Sequence, residues 1–357
     1  MIDFDFEALR CVGLTPAVVQ GAAGLQVPDG GSLQRVTEVH RDAVRVHDGR
    51  DERSARPLPK LERALAERDE ALAVGDWVVG AQDAHGQAWV HHRVPPLTHL
   101  ARRDAEGRRL ALVSNVDTAL LVMGLDGDFN LRRAERYLAL VQAHGVAPVF
   151  VLTKADVVGA QASEELVATL QRRVSAHLDV LAVDATSSAT AQRLAPYLGT
   201  GQTLVLLGSS GAGKSTLTNT LLGAALQSTG AVREHDSRGK HTTTSRSLFR
   251  LPGGACLIDT PGLRSLRPDI DEASLAASFD DIGALSTRCR YRDCRHGEEP
   301  GCAVRDGVDP DRLRNYHKLL RDAQRDTMSA LERQRQVGQW KARSKAVRAY
   351  MKAKGRP

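Results

Sequence analysis

The sequence is poor in the features that would tie it to the cell exterior or to a membrane. Five cysteines in 357 residues do not make a disulfide framework. No apolar run of about 18 residues is present to span a bilayer. The first ten residues, MIDFDFEALR, are acidic and lack the charged-then-apolar order of a secretion signal. These absences point to a reducing cytoplasm. Aromatics are scarce too: three Trp, five Tyr and six Phe make up 4% of the chain. A hydrophobic content of 42% and a charged content of 26% still fit a globular protein, so the core must rest on Leu, Val and Ala. Two or three domains are expected at this length.

Charge is unevenly spread. Arg312 to Pro357 holds 14 Lys or Arg against 3 Asp or Glu, a net of +11, leaving −5 for the rest of the chain and +6 overall. Such a tail suits a polyanion, most often nucleic acid, although a solvated helix would show the same composition.

Four segments follow from texture. Residues 1–31 are poorly patterned, include VPDGG, and read as an N-terminal arm. Residues 32–109 alternate apolar and polar positions in LQRVTEVHRDAVRVHDG, GDWVVG and AWVHHRV, which predicts short strands closing a small β-barrel. RSARPLPKLERALAERDEAL within it reads as a charged insertion or long loop. Residues 110–280 carry near-continuous apolar runs such as PVFVLTKAD and TLVLLGSSGAGKS, the mark of a parallel sheet buried on both faces. LRRAERYLALVQAHG has helical spacing and a C-terminal His-Gly. Residues 281–357 combine a Cys/His-rich stretch with the basic helical tail.

GSSGAGKST, from Gly208 to Thr216, matches the phosphate-loop pattern Gly-x-x-x-x-Gly-Lys-Ser and stands between an apolar strand and a helix-like segment. Gly208, Ser209, Ser210, Gly211, Ala212 and Gly213 would wrap a phosphate chain with backbone N–H groups. Lys214 would reach the β- and γ-phosphates, and Ser215 would hold Mg²⁺. In LIDTPG, Asp259 ends a strand where it can hold Mg²⁺ through water, and Gly262 can face the γ-phosphate. Between them GKHTTTS offers Thr243, with Thr242 and Thr244 as rivals, to close over the Mg²⁺.

LTKAD, at 152–156, comes before this loop. Asp156 would accept from the ring N–H and exocyclic amine of guanine, a pairing that adenine cannot offer. Lys154 would lie along the base, and Thr153 stands where Asn is usual. Ala185 in VDATSS matches the short loop that also touches guanine. A base-reading loop ahead of the phosphate loop means a circularly permuted α/β P-loop GTPase domain, tolerated when nearby surface ends are joined. Cys289-x₄-Cys294-x-His296-x₅-Cys302 supplies three thiolates and an imidazole, a closed tetrahedral set for one structural zinc.

On GSSGAGKST, GKHTTT, DTPG and the cysteine spacing, the chain resembles the ribosome small-subunit-dependent GTPases of the RsgA (YjeQ) family over nearly its whole length. The resemblance implies an OB-fold barrel ahead of the GTPase and a C-terminal α-helical zinc-binding domain. It also implies GTP/GDP as ligands and late maturation of the small ribosomal subunit, whose rRNA would be the partner and which would stimulate hydrolysis. A cytoplasmic monomer without membrane attachment is expected. Leu263 follows Asp-x-x-Gly where many GTPases carry the water-orienting Gln, so hydrolysis alone should be slow. His241 is the candidate to position water, a role the resemblance also suggests; contact with RNA or solvent is the alternative. Two other readings remain: an ATP-using, kinase-like P-loop enzyme, and an RNA-binding scaffold with weak turnover.

Overall fold

The computed structural model describes residues 4–104, 107–174, 177–223, 246–260 and 268–327. His241, Thr243, Gly262 and Leu263, and the basic tail beyond Thr327, lie outside the described residues. The chain divides into two compact units, Met1–Pro268 and Asp269–Pro357.

The first unit opens with α1 (Phe6–Arg10) and α2 (Pro16–Ala22). Asp5 caps α1 by accepting from Ala8 N–H at 3.0 Å, and Pro16 starts α2 at a position that needs no N–H. Leu9, Val12, Leu14, Val18 and Ala22 are buried with Leu33, Trp77 and Val94, so this segment is a packed lid of short helices where a loose arm was expected. Its helices are too short to show a period in the sequence, and helices of that length depend on tertiary packing.

The barrel comprises β1 (Ser32–Val39), β2 (Val44–His47), β3 (Glu52–Pro57), β4 (Trp77–Gln82) and β5 (Ala88–Arg93), with α3 (Pro59–Ala66) between β3 and β4. β1 pairs with β2 and also with β4, β2 with β3, β3 with β5, and β5 with β4. Those five pairings close a ring. The segment expected to be an insertion therefore supplies a barrel strand and a helix. Its charged residues hid this, since β3 shows only Ala55 buried.

A ribbon of β6 (His99–Arg103) and β7 (Arg109–Ser114) follows, antiparallel. The apolar run after Arg109 thus splits in two at Asn115, which adopts φ 52°. Its side chain accepts from Leu97 N–H at 2.9 Å and donates to Gly75 O at 3.0 Å. The parallel sheet begins with β8 (Thr118–Gly124) and continues through α4 (Leu131–Ala143), β9 (Ala147–Thr153), α5 (Ala155–Val158), α6 (Ala160–Val174), β10 (Val180–Ala182), α7 (Ala189–Leu194), β11 (Thr203–Gly208), α8 (Lys214–Leu222), β12 (Ser247–Arg250) and β13 (Cys256–Asp259). The strand order is β10-β9-β8-β11-β13-β12, parallel except for β12. β11 lies between β8, which precedes it in the chain, and β13, which follows it. The permuted order is therefore compatible with an unbroken sheet, because strand neighbours need not be chain neighbours.

Arg35 on β1 pins barrel to sheet. Its guanidinium is fully buried and donates to Val12 O, to Thr203 Oγ1 at 2.9 Å and to Asn115 O at 2.9 Å, and it lies 5.4 Å from the centre of the Trp77 ring.

The second unit holds α9 (Glu272–Ser278), α10 (Asp280–Ser286), α11 (Ala303–Gly307) and α12 (Pro310–Thr327). Phe279 is buried against the Tyr316 ring, centroids 5.4 Å apart, and under the Arg312 guanidinium at 4.6 Å. Arg312 also grips Asp281 through two hydrogen bonds of 2.8 and 2.7 Å. These contacts place α9 with the helices that follow it. The compact unit therefore starts at Asp269, ahead of the expected boundary at residue 281.

Candidate nucleotide site and metal centre

The C-terminal ends of the parallel strands bring the sequence motifs to one edge. Gly208 is in register with Val122, Thr153 with Gly124, and Asp259 with Leu206. Loops at this edge are where open α/β sheets bind ligands.

The phosphate loop runs from Gly208 into α8. A Cβ on Gly208 would stand 2.3 Å from Val122 O, so the strand–strand approach admits no side chain there. Gly213 has φ +88°, and a Cβ would meet Thr153 Oγ1 at 3.1 Å. Lys214, 6% exposed, donates from Nζ to Gly208 O at 3.0 Å and Ser209 O at 2.8 Å. Burial lowers its pKa, while the Asp259 and Asp128 carboxylates oppose that shift. Ser210 and Gly211 are exposed, Ser215 and Thr216 half-buried. The Ser209 hydroxyl is turned away to Asp128, with Oδ1 and Oδ2 each 2.7 Å distant. Only its backbone is left to face a phosphate.

The LTKAD loop closes against this one. Thr153 is fully buried, and its Oγ1 donates to Ala212 O at 2.7 Å. Lys154 takes the left-handed conformation, φ 63°, so the chain turns sharply into α5. Its Nζ donates to Asp126 Oδ2 at 2.6 Å, while Asp156 is exposed on the first turn of α5. Ala185, in the turn after β10, accepts at its carbonyl from Thr220 Oγ1 of α8 at 2.6 Å. Neighbouring Asp184 has its pKa lowered first by the Thr186 hydroxyl.

Thr153, Lys154, Asp156, Ala185, the residues from Gly208 to Thr216, and Asp259 are thus gathered at one sheet edge. The donors suit the expected ligands: a glycine-lined cradle for phosphate, and the hard oxygens of Ser215 and Asp259 for Mg²⁺. Asp126 and Asp128, absent from the motifs, stand at the same edge. The signal for them was two acids at the end of an apolar parallel strand.

In the second unit, ligand atoms of Cys289, Cys294, His296 and Cys302 all lie within 4.8 Å of one another. His296 Nδ1 is 3.7 Å from Cys289 Sγ and 3.6 Å from Cys302 Sγ, and those two sulfurs are 4.0 Å apart. Tetrahedral zinc with Zn–S near 2.3 Å has S···S edges of about 3.8 Å, so spacing and donor chemistry both fit. The N-terminus of α11 favours the thiolate: N–H groups of Val304 and Ala303 lower the Cys289 pKa. Burial lowers that of His296, which favours the neutral ligand form.

Residues 94–268 match a family model described as RsgA GTPase. Proteins named small ribosomal subunit biogenesis GTPase RsgA from Xanthomonas campestris pv. campestris (strain B100) and Xanthomonas euvesicatoria pv. vesicatoria (strain 85-10) are 46% and 45% identical over 294 residues, covering 80% of this chain and 79% of each relative. The fold is similar to that of YjeQ from Thermotoga maritima, with TM-score 0.59 and 22% identity over 82% of this chain and 98% of that one. It is also similar to YloQ, described as a circularly permuted GTPase, with TM-score 0.55 and 21% identity over 83% and 96%.

Proposed function

This chain belongs to the RsgA GTPase family and is a GTP hydrolase, and we propose that its GTP cycle serves late maturation of the small ribosomal subunit, which stimulates hydrolysis. The relatives named for small ribosomal subunit biogenesis motivate the proposal. The observation that carries the pocket assignment is the hydrogen bond from Thr153 to Ala212, which ties the base-reading loop to the phosphate loop. One guanine nucleotide can then span both.

In this reading Asp156 accepts from the guanine edge, Lys154 lies along the base and Ala185 closes its far side. Backbone N–H groups from Gly208 to Thr216 and the Lys214 ammonium hold the phosphates. Ser215 and Thr243 would hold Mg²⁺ directly and Asp259 through water, and the ion would supply charge neutralisation at the phosphates. Gly262 offers its N–H to the γ-phosphate, and His241 positions the attacking water in place of the Gln that Leu263 replaces. The ring of β1 to β5 is read as an OB fold presenting a nucleic-acid face, with the basic tail supplying phosphate contacts to rRNA. The Cys/His cluster holds one structural zinc. The protein acts as a cytoplasmic monomer; among the described residues no helix is long and apolar enough to cross a membrane.

The test is GTP turnover with and without purified small ribosomal subunits, for the wild type and Lys214→Ala. The subunits should raise the wild-type rate by about 10³ or more, as partner-completed sites do elsewhere, and the variant should stay inactive in both. An unchanged rate on adding subunits would remove the ribosomal reading. ATP displacing bound GDP as well as GTP does would remove the guanine assignment.

A further inference from the structure

Asp126 and Asp128 stand on the turn between β8 and α4, and each reaches a different half of the pocket. Asp126 accepts from Lys154 Nζ at 2.6 Å. Asp128 accepts from the Ser209 hydroxyl, whose residue carbonyl in turn accepts from Lys214 Nζ at 2.8 Å. The turn is itself held firmly. Asp128 N–H donates to Asp126 Oδ1 at 3.2 Å, Gly124 N–H to Asp128 Oδ2 at 3.3 Å, and Arg133 of α4 to Asp128 Oδ1 at 2.6 Å. Asn130 caps α4 by accepting from Arg133 N–H at 2.9 Å, which fixes where that arginine emerges.

We propose that this turn positions and tunes the nucleotide: Asp126 sets the Lys154 stem along the base, while Asp128 anchors the start of the phosphate loop through Ser209 and adds a negative charge at the phosphate end of the pocket. The proposal rests on the assignment of Asp156 to guanine and Lys214 to phosphate. In this reading both aspartates act through Lys154 and Ser209, so both are positioning residues.

Their effects should separate. Lys154 and Asp126 side chains are each about one-third exposed, and a pair of that exposure shifts binding by up to about fivefold. Its loss loosens only the base contact. Asp128 has two roles of opposite sign. Its hydrogen bond orders Ser209, but its negative charge, one of two carboxylate charges acting on Lys214, repels an incoming phosphate. Asp128→Asn keeps an acceptor for the Ser209 hydroxyl and removes the charge.

The experiment is calorimetric titration of the full chain with GDP and with inorganic tripolyphosphate, both in Mg²⁺, for wild type, Asp126→Ala, Asp126→Asn and Asp128→Asn. Both Asp126 variants should bind GDP up to about fivefold more weakly and tripolyphosphate as the wild type does. Asp128→Asn should bind both ligands more tightly. A pocket that had merely lost its shape would bind both ligands more weakly. Equal losses for GDP and tripolyphosphate in Asp126→Asn, or weaker tripolyphosphate binding in Asp128→Asn, would overturn the inference. A wild type that bound neither ligand would instead remove the pocket assignment beneath it.

Discussion

Thr153 and Ala212 are 59 residues apart in the chain, and a hydrogen bond of 2.7 Å from the threonine hydroxyl to the alanine carbonyl joins their loops. Both residues are fully buried, so solvent cannot replace this bond. The residue that departs from the usual Asn performs a loop-to-loop contact.

Thr153→Val should therefore weaken GDP binding. The substitution keeps the shape but leaves the Ala212 carbonyl without its donor, a cost of about 1–3 kcal/mol. Most of the loss should appear as faster GDP dissociation, because the loops part more readily. Stopped-flow release of a fluorescent GDP measures it, and Thr153→Ser should release at close to the wild-type rate. Equal rates for Val and Thr at this position would deny the bond any role in holding nucleotide.

Arg35→Met should destabilise the first unit by about 3 kcal/mol, since the buried carbonyls of Val12 and Asn115 lose their donor together. Urea unfolding followed by Trp fluorescence suits the measurement, as Trp77 packs against this guanidinium. A change within about 0.5 kcal/mol, the range of ordinary surface substitutions, would show that the methionine stem alone holds the junction.

Metal analysis of the purified protein should give one zinc per chain. Stripping it with a chelator should unfold the second unit, because a small domain with a four-ligand zinc gains much of its folding free energy from the metal. Loss of helical circular dichroism on chelation, restored by added zinc, is the expected readout. Cys302→Ser, which keeps an acceptor for Arg305 N–H at the start of α11 but loses the thiolate, should mimic it.

Stability should carry a pH component from His47. Burial, then the nearby Arg250 charge, lowers its pKa, with Asp48, Glu52 and Asp51 opposing. Its neutral Nδ1 accepts from Gly49 N–H at 2.9 Å. The folded state thus binds fewer protons than the unfolded chain. The contribution is complete above the ordinary imidazole value of about 6.5 and is lost as pH falls through the lowered folded value. Denaturant unfolding at pH 5 and pH 7 should show a smaller difference for His47→Asn than for the wild type.

Particular residues show where sequence was enough. α4 runs from Leu131 to Ala143 and ends at His144, with Gly145 at φ 70°, as its period and His-Gly ending predicted. The Cys/His cluster and the strand–loop–helix around Lys214 were legible because each is a contiguous motif with local geometry. The lid of α1 and α2 was not. Its helices of five and seven residues are too short to show a period, and Trp77, the side chain they cover, lies far along the chain. β3 was obscured by its charges, since its place comes from partners on β2 and β5.

The order of motifs along the chain was sufficient to establish a rearranged GTPase domain followed by a Cys/His cluster, because spacing constrains local chemistry. Which of the motif side chains pair with other residues was decided only by the tertiary structure. Ser209 faces Asp128, Thr153 faces Ala212, and Lys154 faces Asp126. Each pairing spans at least 28 residues of sequence. No local pattern encodes such a meeting, since it depends on which strands the sheet makes neighbours.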